Sequence, residues 1–567
     1  MKVTDYIVNY IVEQGVTDIF GYPGGVICHL MDSATKYSSD IRVHTNYHEQ
    51  AAAFAACGYA QEKCDVGVAF STSGPGATNL VTGIANAYFD SIPVVFFTGQ
   101  VDTYGLKGEL PIRQRGFQET DMVSIVSSIT KYAVQVDDPN NIRYELEKAF
   151  FIAKEGNPGP VLIDLPADIQ RADVVLDNLA GYKKEEIEAD LSREICTIID
   201  KLKEAKRPCL LIGNGVKQAG CKEELRKLVN LLHIPVVFSM PAFDTIEYNN
   251  KYNYGFIGAN GHRYGNFVLG KSDLILSLGS RMDLKQVGND REKFASQAQI
   301  VRVDIDTDNF KYRVHDNEIQ IQADIKQLLP MLLEAITQEL VCSEQWNQAC
   351  DDIKKTLEYY DDEEYTSLLK KYAESLPDDI SITLDVGQSQ VWCAQQMHIK
   401  RNQSVHMSAG HGTMGYALPA AIGSYYASRK PVVCFNGDGG IQMNIQEMQF
   451  LARENLPISV VILNNHALGM IRGFQEANFE ANYTQTIEGT GYGVPDFEKI
   501  AVAFGLKYKK ICKFADLKEQ EEILTPSIIE IELPVNTNLK PNFGKNGLIQ
   551  DQRPYIDRKL FDELMEL

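Results

Sequence analysis

Pro431-Val-Val-Cys-Phe-Asn-Gly-Asp-Gly-Gly440 and Ile458-Ser-Val-Val-Ile-Leu-Asn-Asn465 decide the fold class. Each is a short apolar run of the kind that forms a strand buried on both faces, and each ends in residues that break a strand. Between them, Ile445 to Asn455 has helical spacing. Ile445, Met448, Leu451 and Ala452 fall on one side, and Gln446, Glu447, Arg453 and Glu454 on the other. Pro457 closes this helix. Strand, helix, strand of this length predicts a parallel βαβ unit with a right-handed crossover. Ligands of such sheets sit beyond the carboxyl ends of the strands, where Asp438 and Asn465 fall. Gly437, Gly439 and Gly440 let backbone N–H groups approach a diphosphate closely. Magnesium takes hard oxygen ligands and keeps substrate phosphates in its shell, so an Asp, an Asn and diphosphate oxygens make a site for a magnesium-bound diphosphate. The plainer alternative is a glycine turn with a capping Asp and an unrelated Asn-Asn turn. It leaves the 24 residues of strand–helix–strand spacing between Gly439 and Asn464 unexplained.

Outward from this unit the same pattern recurs. Val68-Ala-Phe70, Pro93-Val-Val-Phe-Phe97 and Pro160-Val-Leu-Ile-Asp164 are strand candidates in residues 1–170. Pro208-Cys-Leu-Leu-Ile-Gly213, Asp273-Leu-Ile-Leu-Ser-Leu278 and Ile300-Val-Arg-Val-Asp304 are their counterparts in 190–340. A charged stretch near Lys183 to Asp190 reads as a linker, and a polar helical stretch from Ser343 to Ser375 leads into a third unit. The expectation is an α/β protein of three doubly wound parallel-sheet domains, in line with a length of 567 residues.

The net charge of −21 argues against nucleic acid or an anionic membrane as main partner. No apolar run is long enough for a membrane-spanning helix, and Met1 to Ile11 reads as an amphipathic helix rather than a signal peptide. Eleven scattered cysteines without CxxC pairs read as reduced core residues, so the expected location is cytoplasmic and no zinc site is expected.

Gly437-Asp-Gly with Asn464-Asn465 resembles the signature of thiamine-diphosphate (ThDP) enzymes of the pyruvate oxidase and acetohydroxyacid synthase group. The resemblance runs over nearly the whole chain and is closest to acetohydroxyacid (acetolactate) synthase catalytic subunits. It is carried by Phe20-Gly-Tyr-Pro-Gly-Gly25, His48-Glu-Gln50, Ser71-Thr-Ser-Gly-Pro-Gly-Ala-Thr-Asn79 and Thr98-Gly-Gln-Val101. Phe117-Gln-Glu-Thr120, Gly412-Thr-Met-Gly415 and Leu468-Gly-Met470 add to it. It implies a domain for the cofactor's aminopyrimidine (1–170), a central domain (190–340), a domain for its diphosphate and magnesium (345–532) and a C-terminal tail (533–567).

The resemblance also implies roles. Glu49 would bond the pyrimidine nitrogen and raise the basicity of the cofactor's own amino group. The plainer reading, a Glu in the first turn of a helix, gives way in this context. Met414 would wedge between the cofactor rings, and the Gly412 carbonyl would accept from the amino group. Pro23, Val386, Gly387, Gln388, Gly437, Gly439, Gly440, Leu468, Gly469 and Met470 match cofactor-binding positions. Asp438, Asn465 and the backbone carbonyl of Ala467 match magnesium ligands, while Phe117 and Gln118 match residues beside the acceptor substrate. Glu49 of one subunit would serve the cofactor held mainly by another, which implies a homodimer or homotetramer. The need for a regulatory subunit is left open.

Four departures bear on the acceptor. The segment Asp102 to Gly116 is longer than in the relatives and carries Lys107, Arg113 and Arg115. Phe474 stands where many have tryptophan, and Ser389 where they have histidine. The end of the chain, with Asp551-Gln-Arg-Pro-Tyr-Ile-Asp557, looks more like ThDP enzymes of cell-surface sugar biosynthesis. The acceptor therefore has a first reading and a runner-up, in that order. One is a second pyruvate, as in acetolactate synthase, and the other is a keto-sugar nucleotide whose phosphates the basic residues could meet. A non-catalytic paralogue is disfavoured by the retention of Glu49, Asp438 and Asn465. FAD in the central domain is equally open. Gly213-Asn-Gly215, Arg281-Met-Asp283, Asp304-Ile-Asp306 and Asp324 match the relatives, but Ala259-Asn260 and Leu284 do not.

Overall fold

The computed structural model describes residues 1–183, 190–336, 343–517, 525–542, 544 and 547–567. The expected linker, residues 184–189, lies outside them. Three six-stranded sheets follow one another along the chain. The first holds β1 (Asp18–Gly21), β2 (Arg42–Thr45), β3 (Gly67–Ser71), β4 (Val94–Gln100), β5 (Tyr132–Gln135) and β6 (Val161–Pro166). The second holds β7 (Pro208–Ile212), β8 (Val236–Phe238), β9 (Asn253–Phe256), β10 (Leu274–Leu278), β11 (Gln299–Asp304) and β12 (Ile319–Gln322). The third holds β13 (Ser381–Leu384), β14 (Ser404–Met407), β15 (Val432–Gly437), β16 (Ile458–Asn464), β17 (Lys507–Ile511) and β18 (Ser527–Glu532). Neighbouring strands pair in parallel, as in β15 on β16, where Val432 faces Ile458 and Gly437 faces Leu463. The first sheet runs β2-β1-β3-β4-β6-β5 and the third β14-β13-β15-β16-β18-β17, so the two share one topology.

In the third sheet the two-residue period of the strands divides the core. Val433, Phe435, Val461, Leu463, Ile529 and Ile531 face a core shared with the central domain. Their neighbours Val432, Cys434, Val460, Ile462 and Ile528 face a core shared with the first domain. Apolar residues at every position are what a sheet covered on both faces requires.

The contact between the first and third domains is a pair of helices, Glu49–Lys63 and Ala417–Ser428. Both are rich in alanine and buried nearly all round, so their axes come close. A Cβ on Gly58 would lie 2.2 Å from the carbonyl oxygen of Ala420, and one on Gly423 would lie 1.8 Å from that of Ala55.

Two elements differ from expectation. The helix expected over Ile445–Asn455 is a 3₁₀ run, Gly440–Glu447, followed by an α-helix over Met448–Glu454 only. The break is at Asn444, whose Nδ2 donates to the Gly415 carbonyl (2.8 Å) and to Gln50 Oε1 (3.3 Å). Glu447, expected on the polar side, is turned inward. It accepts from Asn46 Nδ2 (2.9 Å) and Tyr47 N (2.7 Å), and burial pushes its carboxyl up to about 7. The stretch Ser343–Ser375 is two helices, Glu344–Leu357 and Glu364–Ser375. Trp346 Nε1 pins the first to the Pro208 carbonyl of β7 (3.1 Å).

Candidate active site

The carboxyl ends of β13, β15 and β16, adjacent in the third sheet, bring three loops together. Val386, Gly387 and Gln388 follow β13, Asp438 follows β15 at Gly437, and Asn465 follows β16. The turns are tight enough to demand glycine. A Cβ on Gly440 would fall 1.8 Å from Asp385 Oδ2, and one on Gly469 would fall 1.8 Å from Gln388 Oε1. Gly387 has φ of 136°, in the range that favours glycine.

Asp438 is buried, which holds its carboxyl above the usual range. Its oxygens accept from Tyr492 Oη (2.7 Å) and from the backbone N–H of Ala467 (3.3 Å). Asn465 is also buried, and both its amide protons are spoken for, donated to Gln388 Oε1 (3.0 Å) and Thr537 Oγ1 (3.2 Å). That fixes the amide so that Oδ1 is the end left to face the cleft. A buried carboxylate and an oriented amide oxygen suit a magnesium ion, which relieves the cost of burying the carboxylate. Among the described residues no group of three His, Cys, Asp or Glu side chains gathers around a metal position.

Met414 and Gly412 line the same cleft, as do Gly439, Gly440, Ala467, Leu468, Gly469 and Met470. Behind Met414, Asp385 accepts from the backbone N–H groups of Gly415 (3.1 Å) and Tyr416 (2.8 Å). Burial raises this carboxyl to about 6. Asp385, Tyr492 and Thr537 were not singled out in the sequence. Asp385 carried a signal, an acid at a strand end just before Val386. Thr537 and Tyr492 carried none.

A second cluster gathers at the carboxyl ends of the first sheet. Glu49 opens its helix after β2, is buried, and accepts from Asn79 Nδ2 (2.9 Å). Gly76 passes close by, since a Cβ there would lie 3.1 Å from Glu49 Oε1. Gly24, next to Pro23, packs on Thr72, and Gly74 packs on Gln118, whose φ is +65°. Phe117 beside it is 84% exposed. Glu49, Pro23, Phe117 and Gln118 do not line the cleft that holds Asp438 and Met414. The two clusters, one on the first sheet and one on the third, do not share that cleft within the chain.

The chain matches models of thiamine pyrophosphate enzymes in three places. These are the N-terminal TPP binding domain over residues 1–125, the central domain over 195–332 and the C-terminal TPP binding domain over 385–531. It is 34% identical over 545 residues to the acetolactate synthase isozyme 2 large subunit of Escherichia coli (strain K12), covering 94% of each chain. It is likewise 34% identical to the acetolactate synthase large subunit of Lactococcus lactis, covering 94% of this chain and 93% of the relative. Against acetolactate synthase 1, chloroplastic, of Zea mays the identity is 35%, covering 97% and 88%. The chain belongs to the thiamine pyrophosphate enzyme family. It is a ThDP-dependent carboligase of the acetolactate synthase type, and the shared topology of its first and third sheets is that of the two TPP binding domains. Among the described residues no helix is long and apolar enough to cross a membrane.

In this member of the family the cleft at Asp438 continues into the central domain, with a volume of 1510 Å³. There it is lined by Asn214, Arg281, Asp304, Asp306, Asp324 and Lys326. Arg281, about half exposed, is paired with Asp283 (2.9 Å). Carboxylates at strand ends suit ribose hydroxyls, and an arginine suits a diphosphate, so the lining fits an extended dinucleotide. Asn260, at the place of departure, is tied to the tail through the Pro541 carbonyl (2.9 Å). Leu284 is 54% exposed.

Proposed function

We propose that the protein decarboxylates a 2-oxo acid, pyruvate in the simplest case, and transfers the two-carbon unit to a second carbonyl compound. The observation that carries this reading is the pair Asp438 and Asn465, buried at adjacent strand ends and both lining the cleft, with the Asn465 amide protons taken by Gln388 and Thr537. These two and the Ala467 carbonyl would hold magnesium. Val386, Gly387, Gln388, Gly440 and Leu468 to Met470 would surround the diphosphate. Bound ThDP would supply the carbon nucleophile that adds to the 2-oxo acid and accepts the charge left when carbon dioxide departs. Glu49 would hold a proton at the pyrimidine nitrogen, and the Gly412 carbonyl would accept from the neighbouring amino group. Met414 would keep the two rings apart, with Phe117 and Gln118 beside the acceptor. Glu49 is not among the residues that line the cleft holding Met414, which supports a homodimer or a higher homo-oligomer with Glu49 reaching the cofactor of a second copy. It places FAD in the central cleft. A yellow purified protein supports that assignment, and a colourless one removes it.

The acceptor has a second reading, favoured by one loop. Glu119 accepts from the backbone N–H groups of Lys107 (2.6 Å), Arg115 (2.7 Å) and Gly116 (3.3 Å). Three cations, Lys107, Arg113 and Arg115, are thereby presented on an ordered loop next to Phe117. Such a loop suits a phosphorylated acceptor such as a keto-sugar nucleotide. Incubation with pyruvate, ThDP and magnesium separates the readings. Acetolactate formation supports a second pyruvate as acceptor. Carbon dioxide release without acetolactate supports the phosphorylated acceptor. No carbon dioxide release from any 2-oxo acid tested would refute both.

A further inference from the structure

The segment from Ser408 to Met414 carries the Gly412 carbonyl and the Met414 side chain, yet its first half is bound to the first domain rather than to its own sheet. Ser408 Oγ donates to Asn86 Oδ1 (2.6 Å) and accepts from the backbone N–H groups of Gly412 (3.1 Å) and Thr413 (3.0 Å). Thr413 Oγ1 donates to the same Asn86 oxygen (3.0 Å). One residue beyond the Val81–Phe89 helix that bears Asn86, Asp90 Oδ1 accepts from the N–H groups of Ala409 (2.9 Å) and Gly410 (2.6 Å). Gly410 fits under this helix end so closely that a Cβ would lie 2.3 Å from the Phe89 carbonyl oxygen. The rings of Phe89 and His411 stack at 5.2 Å with planes 7° apart.

These bonds determine where one carbonyl points. The peptide unit joining Gly412 to Thr413 is planar and its C=O is directed opposite to its N–H. Holding the Thr413 N–H on Ser408 Oγ therefore aims the Gly412 carbonyl away from Ser408. Gly412 has φ of 72°, so a glycine is needed for this peptide plane to turn as it does. Asn86 and Ser408 are fully buried, and a serine hydroxyl with one donation and two acceptances has no capacity left for water.

We infer that Asn86, Asp90 and Ser408 are positioning residues, which aim the Gly412 carbonyl at the cofactor's amino group and set Met414 between its two rings. The inference rests on the roles proposed above for Gly412 and Met414. It assigns to the Val81–Phe89 helix a part in cofactor activation that is separate from cofactor binding, because the diphosphate end is held by other loops.

The test compares, in the full-length protein, the exchange rate of the bound cofactor's C2 proton in deuterated water with the affinity for ThDP and magnesium. Ser408→Ala should slow exchange about tenfold to a hundredfold while changing affinity less than about threefold. Asp90→Ala should behave likewise, and Asp90→Asn, which keeps the accepting oxygen, should return exchange close to the parent rate. Thr413→Val removes a single bond at a half-buried position and should slow exchange by a few-fold. It keeps the inference testable if Ser408→Ala does not fold. Exchange at the parent rate in folded Ser408→Ala and Thr413→Val would overturn the inference, as would losses of affinity that match the losses of exchange. Glu49→Gln distinguishes the underlying reading, since normal exchange in that variant would refute the proposed activation itself.

Discussion

Asn465 has two chemically different ends, and what decides which one faces the cleft is its neighbours. Gln388 Oε1 and Thr537 Oγ1 take both amide protons, and Thr537 is itself held by Gln388 Nε2 and Arg472 on its carbonyl. Thr537→Val removes one of the two acceptors. The expected effect is a loss of about 1 kcal/mol in binding of magnesium and ThDP, or roughly a fivefold weaker affinity, with no change in the folded structure. Asp438→Ala removes a charge rather than an orientation and should weaken binding by about a hundredfold or more. Trp392 lines the cleft, so quenching of its fluorescence on titration with ThDP measures both. This residue-scale detail was only half legible in the sequence. Asp438 and Asn465 stood out because strand periodicity places them at adjacent strand ends. Thr537 is 72 residues beyond Asn465 in a tail without periodic pattern, and only the folded chain brings it back. Glu49 was legible through resemblance alone, because a glutamate in the first turn of a helix has an ordinary explanation.

The elements that join the first and third domains are helices of small residues, and their closeness depends on two glycines. Gly423→Ala would put a methyl group 1.8 Å from the backbone oxygen of Ala55, and backbone cannot give way as a side chain can. Forcing the helices apart should cost about 1–3 kcal/mol, seen as a lower melting temperature. It should also tilt Glu49, which opens one of the two helices, and so lower turnover more than a surface Gly→Ala change would. An unaltered melting temperature would show that the pair is looser than the structure indicates. Strands were the most legible elements, since unbroken apolar runs such as Val432 to Phe435 are what a sheet covered on both faces requires. The helix expected from Ile445 was less so. Its apolar spacing was read correctly at Met448 and Leu451, which are buried. Spacing carries no information about Asn444 bonding across to Gly415, or about Glu447 serving as an acceptor for the loop before Glu49, and those bonds replace the first turn.

At the scale of the molecule, one carboxylate ties the first domain to the third, and its titration sets a pH dependence. Glu62 Oε2 accepts from His406 Nε2 (2.6 Å), Ser381 Oγ (2.9 Å), Ser404 Oγ (2.8 Å) and Ser424 Oγ (3.0 Å). Burial opposes the charge, but hydrogen bonds from His406, Ser404 and Ser381 prevail and hold the carboxyl down at about 2, against 4.5 ordinarily. A carboxyl lowered on folding stabilises the protein above its unfolded pKa, and that contribution is lost as pH falls through the folded value. The stake is about 3 kcal/mol. Glu62→Gln should therefore be less stable than the parent near neutrality, and the gap in urea unfolding should narrow between about pH 4.5 and pH 3. A gap that stays constant over that range would mean the charge is not what holds the domains together. The separation of the two clusters sets a second test at this scale. Glu49 is not among the residues lining the cleft that holds Asp438, and in the dimer proposed above a site built from both draws them from two copies related by a twofold axis. Glu49→Gln and Asp438→Ala should each be inactive alone. When the two are unfolded together and refolded, about half of the dimers are mixed. Each mixed dimer carries one site with both residues intact and one with neither. Activity should then return to about a quarter of the parent value, whereas a site completed within a single chain would leave the mixture as inactive as its components.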